Sequence, residues 1–573
     1  MPSWQAVGWA LTSGITEEQA MALISSSRFI AETLRGYGIT HVYFVPGILY
    51  EAISEFADLG GTPVLTHGEV PAAYMADGYA RAARGPGIVM CQTVGSANVA
   101  AGLRDAYLAG SPVIAITGGP SPRYRYKNLY QQLEDLAMFE PVTKFNGRVE
   151  AADRLPDMLR QAFREATTGA PGPVHLELPG RNGYGILGEF DLELIIEEEF
   201  AHFPPFRLEA EVNRIRQALD LLVAAKRPVI IAGGGTVASD GGAELVALAA
   251  KLSVPVATSL SGKGSIPEDH PLALGVVGHY PRQSVNKTVA EADLVFYVGS
   301  KVGSMTTNDY KIPRPGTAVI QLDIDPTQIG RNYPVKVGMV GDVKATLSRM
   351  VELARPAEHA EWVGRAQGML AEWRAEVAPM LNSDAVPIRP ERLCKELQDF
   401  LPEDAVLVAD TGHAAHWSGM MIDLKHSSQR FIRCGGTLGW AFPASIGVKC
   451  ALPDRPVICF TGDGGIDYYS SETETAARAR INTIVIVNNN AALSHPMRNA
   501  EAASRGKKSP GRLQWAFSKT NYAAMAELRG CLGIRVEKPG ELRSALDRAL
   551  EAKRPTVIDV VTELEAIAPA AWG

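Results

Sequence analysis

The sequence predicts an α/β protein of three doubly wound parallel-sheet units. Three observations predict it. Short β-branched runs alternate with helical patterns along the chain, the signature of parallel strands joined by crossover helices. The alternation falls into three series of similar size, as expected for 573 residues, too many for one ordinary domain. Several strand-like runs end in Gly, Asp or Asn, residues suited to the ligand-binding edge of an open sheet.

The first unit is expected over residues 20–195. "HVYFV" (41–45), "GIVMCQT" (87–93) and "PVIAITG" (112–118) read as buried strands. "AMALISSSRFIAETLRGYG" and "EVPAAYMADGYARAARG" read as helices, each ending near Gly. A Pro-containing junction near 198–208 leads to a second unit, 205–355, whose strands include "ADLVFYVGS" and "AVIQLDIDP". A charged helical linker is expected at about 355–385. The third unit, 385–565, contains "AVLVADTG", "PVICFTGDG", "TIVIVNNN" and "PTVIDVVT".

Composition narrows the function. Apolar residues at 46% and charged residues at 21% describe a soluble globular chain with ample core. A net charge of −7 argues against general nucleic-acid binding. Six cysteines without a CxxC pair point to reduced thiols. The first twenty residues lack a basic segment and carry Glu17 and Glu18, so no secretion signal is expected. No apolar run reaches the roughly 18 residues of a membrane span. A cytoplasmic protein is the expectation.

The sharpest chemistry lies in "VICFTGDGGIDYYSSETETAARARINTIVIVNNNAAL". One strand delivers Gly-Asp-Gly at its carboxyl end, and a later strand delivers Asn-Asn-Asn. A carboxylate and an amide oxygen are hard donors that suit Mg²⁺. Gly464 and Gly465 would let backbone N–H groups approach a phosphate. Alone, GDG is also a good turn. The spacing of GDG and Asn across strand, helix and strand is much more specific.

By this joint motif the chain resembles the thiamine diphosphate-dependent enzymes, from about residue 20 to 565. The resemblance implies pyrimidine-binding, central and diphosphate-binding domains in that order. It assigns Asp463, Asn490 and the carbonyl of Ala492 to Mg²⁺, with Asn489 competing for the second position. The family often has Gly where this chain has Ala491 and Ala492. "CGGTLGWAFPASIG" (434–447) resembles the family's cofactor loop, with Leu438 as the apolar wedge and the Gly436 carbonyl as an acceptor. In "ADTGHAAHW" (409–417), Thr411, Gly412 and His413 would meet the diphosphate, although His413 equally suits a capping or surface role.

Glu69 follows His67 and Gly68 before "VPAAYMADGYARA". By itself it reads as a first-turn acid favoured by the helix dipole. The resemblance makes it the carboxyl that bonds the cofactor's pyrimidine ring and promotes its tautomerisation. The family places that glutamate at a cofactor held by another subunit, which implies a homodimer or homotetramer.

Three features bear on the substrate. Ile48, with Leu49, would wall the reacting carbon, or simply fill the core. "NLYQQLEDLAMFEPVTKF" (128–145) makes Tyr130 and Gln131 candidates near the substrate carbonyl, against a plain surface loop. Arg498, Arg505, Lys507, Lys508 and Arg512 form a basic island that could clamp coenzyme A phosphates, or be solvated. Together they resemble the acyl-CoA branch, oxalyl-CoA decarboxylases and 2-hydroxyacyl-CoA lyases, above all the actinobacterial-type lyases of 2-hydroxyisobutyryl-CoA. The implied reaction cleaves that thioester to a ketone and formyl-CoA. His495, Tyr468 and the cofactor's imino group stay open as the base. The alternative is a 2-oxoacid ligase or decarboxylase of acetolactate synthase or benzoylformate decarboxylase type. "IAGGGTVASDGG" (231–242) and "LDIDP" (322–326) in the central unit would hold ADP, FAD or nothing.

Overall fold

A computed structural model describes residues 23–507, 510–566 and 568–569. The first twenty-two residues, including Glu17 and Glu18, and Lys508 of the basic island lie outside the described residues.

Three six-stranded parallel sheets carry the fold. The first runs in spatial order Thr62–Leu65, His41–Phe44, Gly87–Cys91, Val113–Gly118, Val174–Leu178, Phe145–Arg148. The third runs Arg430–Arg433, Val406–Ala409, Val457–Gly462, Ile484–Asn489, Thr556–Val561, Leu532–Val536. Numbered within each sheet by chain order, both are 2-1-3-4-6-5. The central sheet is Ala273–Val276, Val256–Thr258, Pro228–Ala232, Leu294–Val298, Ala318–Asp323, Val337–Val340, which is 3-2-1-4-5-6. Inner strands such as Val113–Gly118 and Pro228–Ala232 are buried throughout. Helices on both faces explain their unbroken apolar runs.

In each sheet the winding direction reverses beside the first strand. In open α/β sheets that switch point leaves a crevice at the carboxyl ends. In the third sheet it lies between Val406–Ala409 and Val457–Gly462, the strands that lead into Asp410–His413 and Asp463–Gly465.

The first and third sheets share one core through a helix pair, Glu69–Ala83 against Ala441–Ala451. Two glycines permit their approach. A Cβ on Gly78 would lie 2.1 Å from the Ala444 carbonyl oxygen, and one on Gly447 would lie 1.9 Å from that of Met75. Asp77 locks the contact: it pairs with Arg81 and accepts from Trp440 Nε1 at 2.9 Å. Ala360–Leu381 was expected as a charged linker, but its inner face is apolar. Trp362 lies in the core of the central sheet and Trp373 in that of the third, so the helix straps two domains together. Among the described residues no helix is long and apolar enough to cross a membrane.

Candidate active site

The switch point of the third sheet opens into a cavity of about 280 Å³. Asp463, Asn490 and Ala492 line it, as do Gly464 and Gly465. Thr411, Gly412 and His413 come from the neighbouring strand end, and Gly436 and Leu438 from the loop before Ala441–Ala451. Residues spread over some eighty positions of sequence meet because parallel strands bring their carboxyl ends to one edge.

Asp463 is buried. Its Oδ1 accepts from the Gly464 N–H at 2.9 Å and its Oδ2 from the Ala492 N–H at 2.8 Å. Burial pushes its carboxyl up to about 6. No cationic side chain among the described residues pairs with it. A divalent ion at this spot would restore the charged form.

The two competing asparagines have different surroundings. Asn489 Nδ2 donates to Asp559 Oδ1 at 2.8 Å and to the Thr520 carbonyl at 3.0 Å, while its oxygen accepts from Ala491 N–H at 3.3 Å. Both ends of Asn489 are therefore taken. Asn490 gives Nδ2 to Ser494 Oγ at 3.1 Å, and its amide oxygen is the end left for a cation. Ala491 has φ of 56°, the left-handed region in which glycine is free and alanine strained. The turn keeps this left-handed shape although the sequence supplies a Cβ there.

Four further groups shape the cavity without having been picked out in the sequence. Asp410 is buried, and burial pushes its carboxyl up to about 6. It accepts from Thr411 N–H at 2.8 Å, Gly439 N–H at 3.1 Å and Thr461 Oγ1 at 3.0 Å, tying three cavity-forming segments together. Its signal was present, an acid at a strand end, the same as in GDG. Asp105 reaches across from the helix Ser96–Ala109 and accepts from the N–H groups of Gly435, of Gly436 at 3.3 Å and of Thr437 at 3.1 Å. Nothing local marks it. Ser494 and Tyr280 complete the wall. His413 and His416 are neutral imidazoles: burial lowers them to about 3 and about 4.

The N-terminal candidates do not join this cavity in the single chain. Glu69 begins its helix, half-buried, with Oε2 accepting from Asn98 Nδ2 at 3.0 Å. A Cβ on Gly95 would fall 2.5 Å from Oε1, so the glycine makes room for the carboxylate. The approach to Glu69 is anchored by His67, whose N–H donates to Glu472 Oε1 at 3.1 Å. Ile48 and Leu49 are fully buried in the first domain's core, near Gly183, which is the packing alternative for them. Tyr130 is 74% exposed with the Arg181 guanidinium 5.5 Å over its ring, and Gln131 has φ of 62°. Arg498, Arg505, Lys507 and Arg512 are exposed on the helix Met497–Ser504 and the segment after it.

Two other cavities lie elsewhere. One of about 310 Å³ at the central switch point is lined by Gly234, Gly235, Gly299, Ser300 and Asp323. A larger one of about 680 Å³ at the domain junction is lined by several cations, among them Arg84, Arg430, Arg433 and Arg455.

Known proteins agree with this architecture. Residues 24–138 match the thiamine pyrophosphate enzyme N-terminal TPP binding domain, 215–350 the central domain, and 410–560 the C-terminal TPP binding domain. The chain is 32% identical over 552 residues to a probable acetolactate synthase large subunit of Methanocaldococcus jannaschii, covering 93% of this chain and 91% of that protein. It is 29% identical over 547 residues to the acetolactate synthase isozyme 3 large subunit of Escherichia coli K12, covering 93% of each. It is 31% identical over 562 residues to a glyoxylate carboligase of Escherichia coli O157:H7, covering 92% of this chain and 91% of that one. The protein belongs to the thiamine pyrophosphate enzyme family.

Proposed function

We propose that this protein is a thiamine diphosphate- and Mg²⁺-dependent enzyme that joins or decarboxylates 2-oxoacids, of acetolactate synthase type. The carrying observation is similarity along nearly the whole chain to acetolactate synthases and a glyoxylate carboligase. This reverses the order of the two readings drawn from the sequence, since none of these relatives is named for a coenzyme A thioester.

The cavity brings together the residues for these roles. Asp463, the Asn490 amide oxygen and the Ala492 carbonyl would hold Mg²⁺. Backbone N–H groups of Gly464, Gly465 and the Thr411–His413 turn would hold the diphosphate. Leu438 and the Gly436 carbonyl line the same cavity and would help hold the organic part of the cofactor. When bound, the cofactor supplies a carbon nucleophile and then an electron sink. Glu69 would hold the pyrimidine of a cofactor bound by a second copy of the chain, and would move a proton there. That arrangement gives Glu69 a partner although it lies outside its own chain's cavity, and it makes a homodimer or homotetramer the working unit. A nucleotide, ADP or FAD, in the central cavity is a compatible addition. Six free, buried cysteines fit a reducing, cytoplasmic setting.

A specific observation keeps the 2-hydroxyacyl-CoA lyase as second reading. Arg498, Arg505, Lys507 and Arg512 are exposed, and none of them forms an ion pair among the described residues. An anionic ligand would find them free.

Pyruvate and 2-hydroxyisobutyryl-CoA, each supplied with thiamine diphosphate and Mg²⁺, separate the readings. Acetolactate or CO₂ from pyruvate, lost in Glu69→Gln, supports the first. Formyl-CoA and acetone from the thioester, with pyruvate untouched, would overturn it.

A further inference from the structure

Three imidazoles converge beside the cofactor cavity, and the roles above leave their nitrogens unused. His413 and His416 stand three residues apart on the helix His413–Met421, so they share a face. His495 approaches from the loop after Ile484–Asn489. One possible ligand nitrogen from each lies within 4.8 Å of the others. The ring centroids are 6.1 Å apart for His413 and His416, 5.4 Å for His413 and His495, and 5.7 Å for His416 and His495.

Two of the rings are oriented from behind. His416 Nε2 donates to the His279 carbonyl at 3.1 Å, which leaves Nδ1 as the lone-pair nitrogen. That Nδ1 is buried and has no hydrogen-bond partner. A buried atom left unpaired asks for an explanation, and a metal ion among three imidazoles would supply one here. His413 Nδ1 meets Ser494 Oγ at 2.8 Å. Because Ser494 Oγ also accepts from Asn490 Nδ2, it can take a second proton from His413 Nδ1 and leave Nε2 free. A ring held through one nitrogen, with the other presented, is how metal-ligating histidines are positioned.

We propose that His413, His416 and His495 bind a divalent transition-metal ion, zinc foremost, at a site separate from the oxygen-donor site of Asp463 and Asn490. Three imidazoles suit zinc, copper or nickel and do not suit Mg²⁺. With Zn–N bonds of about 2.0–2.1 Å, the nitrogens would close to roughly 3.4 Å of one another. His495, on an exposed loop, has room to make that approach. His413 and His495 both line the cofactor cavity, so a fourth coordination position would open towards it. An ion with such an open position can polarise a carbonyl or carboxylate oxygen.

The test uses the full chain, stripped of metal by a chelator and kept in excess Mg²⁺ to fill the oxygen-donor site. Zinc content after equilibrium dialysis and the visible spectrum of added Co²⁺ are the readouts. The expected result is one zinc ion per chain and intense Co²⁺ bands of a low-coordinate nitrogen site. His416→Ala and His495→Ala should each weaken binding by more than the roughly 10–100-fold that loss of an outer partner costs. Asp463→Ala should leave it intact. Because His495 is exposed, its variant is the safer one for folding, checked by circular dichroism. Absence of retained zinc, or retention unchanged in folded His495→Ala, overturns the proposal. Loss of zinc in Asp463→Ala alone would assign the ion to the Mg²⁺ site and overturn it equally.

Discussion

The first and third sheets have the same strand order, yet their switch points differ. In the third, glycines and short polar residues leave an open crevice that collects Asp463, Asn490 and the Thr411–His413 turn. In the first, the equivalent strand end runs into Ile48 and Leu49, which are buried in that domain's own core. Its acidic group, Glu69, follows an edge strand instead. One topology thus makes a cavity when its edge is left unfilled, and a platform when the edge is packed shut. What the platform presents at its rim is Glu69, half-buried and outside its own chain's cavity.

Removing Glu69's proton function is the largest expected break in this comparison. Glu69→Gln keeps the size and the contact with Asn98. The turnover number should fall on the order of 10²–10⁴-fold, the usual scale for a positioned acid or base. Cofactor affinity, set by the other sheet, should change little in a fluorescence titration. Equal loss of affinity and rate would mean that the two edges are not separable.

Mixing inactive chains sharpens the division of labour. Glu69→Gln and Asp463→Ala should each be inactive. If Glu69 serves the partner's cofactor, co-refolded chains regain activity, because one site of each mixed dimer pairs an intact Glu69 with an intact Asp463. Random pairing gives about a quarter of the wild-type rate. No recovery, in mixtures shown by mass spectrometry to contain the mixed dimer, would place Glu69 at its own chain's cofactor.

The two regions were unequally legible in the sequence. The third sheet's edge could be read because its strands, glycines and donors recur at a spacing that parallel topology imposes. All ten residues expected at metal and cofactor line one cavity. Asp105 was not legible, since it arrives from another domain and its role depends on a helix pair meeting at Gly78 and Gly447. His416 was passed over because a histidine inside a helix gives no sign of which way its ring is tied. Ile48 illustrates the converse: an apolar residue at a strand end serves core and pocket equally well, and only packing separates them. Asn489 and Asn490 are identical in type, and the difference lies in whether Asp559 and Thr520 engage the first of them.

A stability measurement probes the third edge by itself. Asp410 is raised from about 3.8 to about 6 by burial. The folded state therefore holds its proton more tightly than the unfolded state does. Its contribution favours folding below about pH 4 and is lost progressively as pH rises towards 6. The change amounts to roughly 2–3 kcal/mol. Denaturant midpoints of the metal-free protein between pH 4 and 7 should fall more steeply for wild type than for Asp410→Asn. Parallel curves would mean that the carboxylate's bonds to Thr411, Gly439 and Thr461 already offset its burial.

The smallest effect concerns the basic segment beyond the third edge, and it decides between the substrates. Arg498, Arg505 and Arg512 are exposed, so replacing all three with Ala should alter stability by no more than about 0.5 kcal/mol per site. A 2-oxoacid carries one carboxylate and no distant phosphates for three exposed cations to hold. On the 2-oxoacid reading, KM for pyruvate therefore moves by less than about twofold, and added salt hardly matters. A coenzyme A thioester carries phosphates far from its reacting carbon, and exposed cations are where they would rest. Salt screens such contacts over a Debye length of about 8 Å at physiological ionic strength. A KM that rises in the triple variant, and in the wild type as salt is added, would give the island a ligand and return the thioester to first place. A KM indifferent to both leaves the island as solvated surface, and the chemistry confined to the two sheet edges.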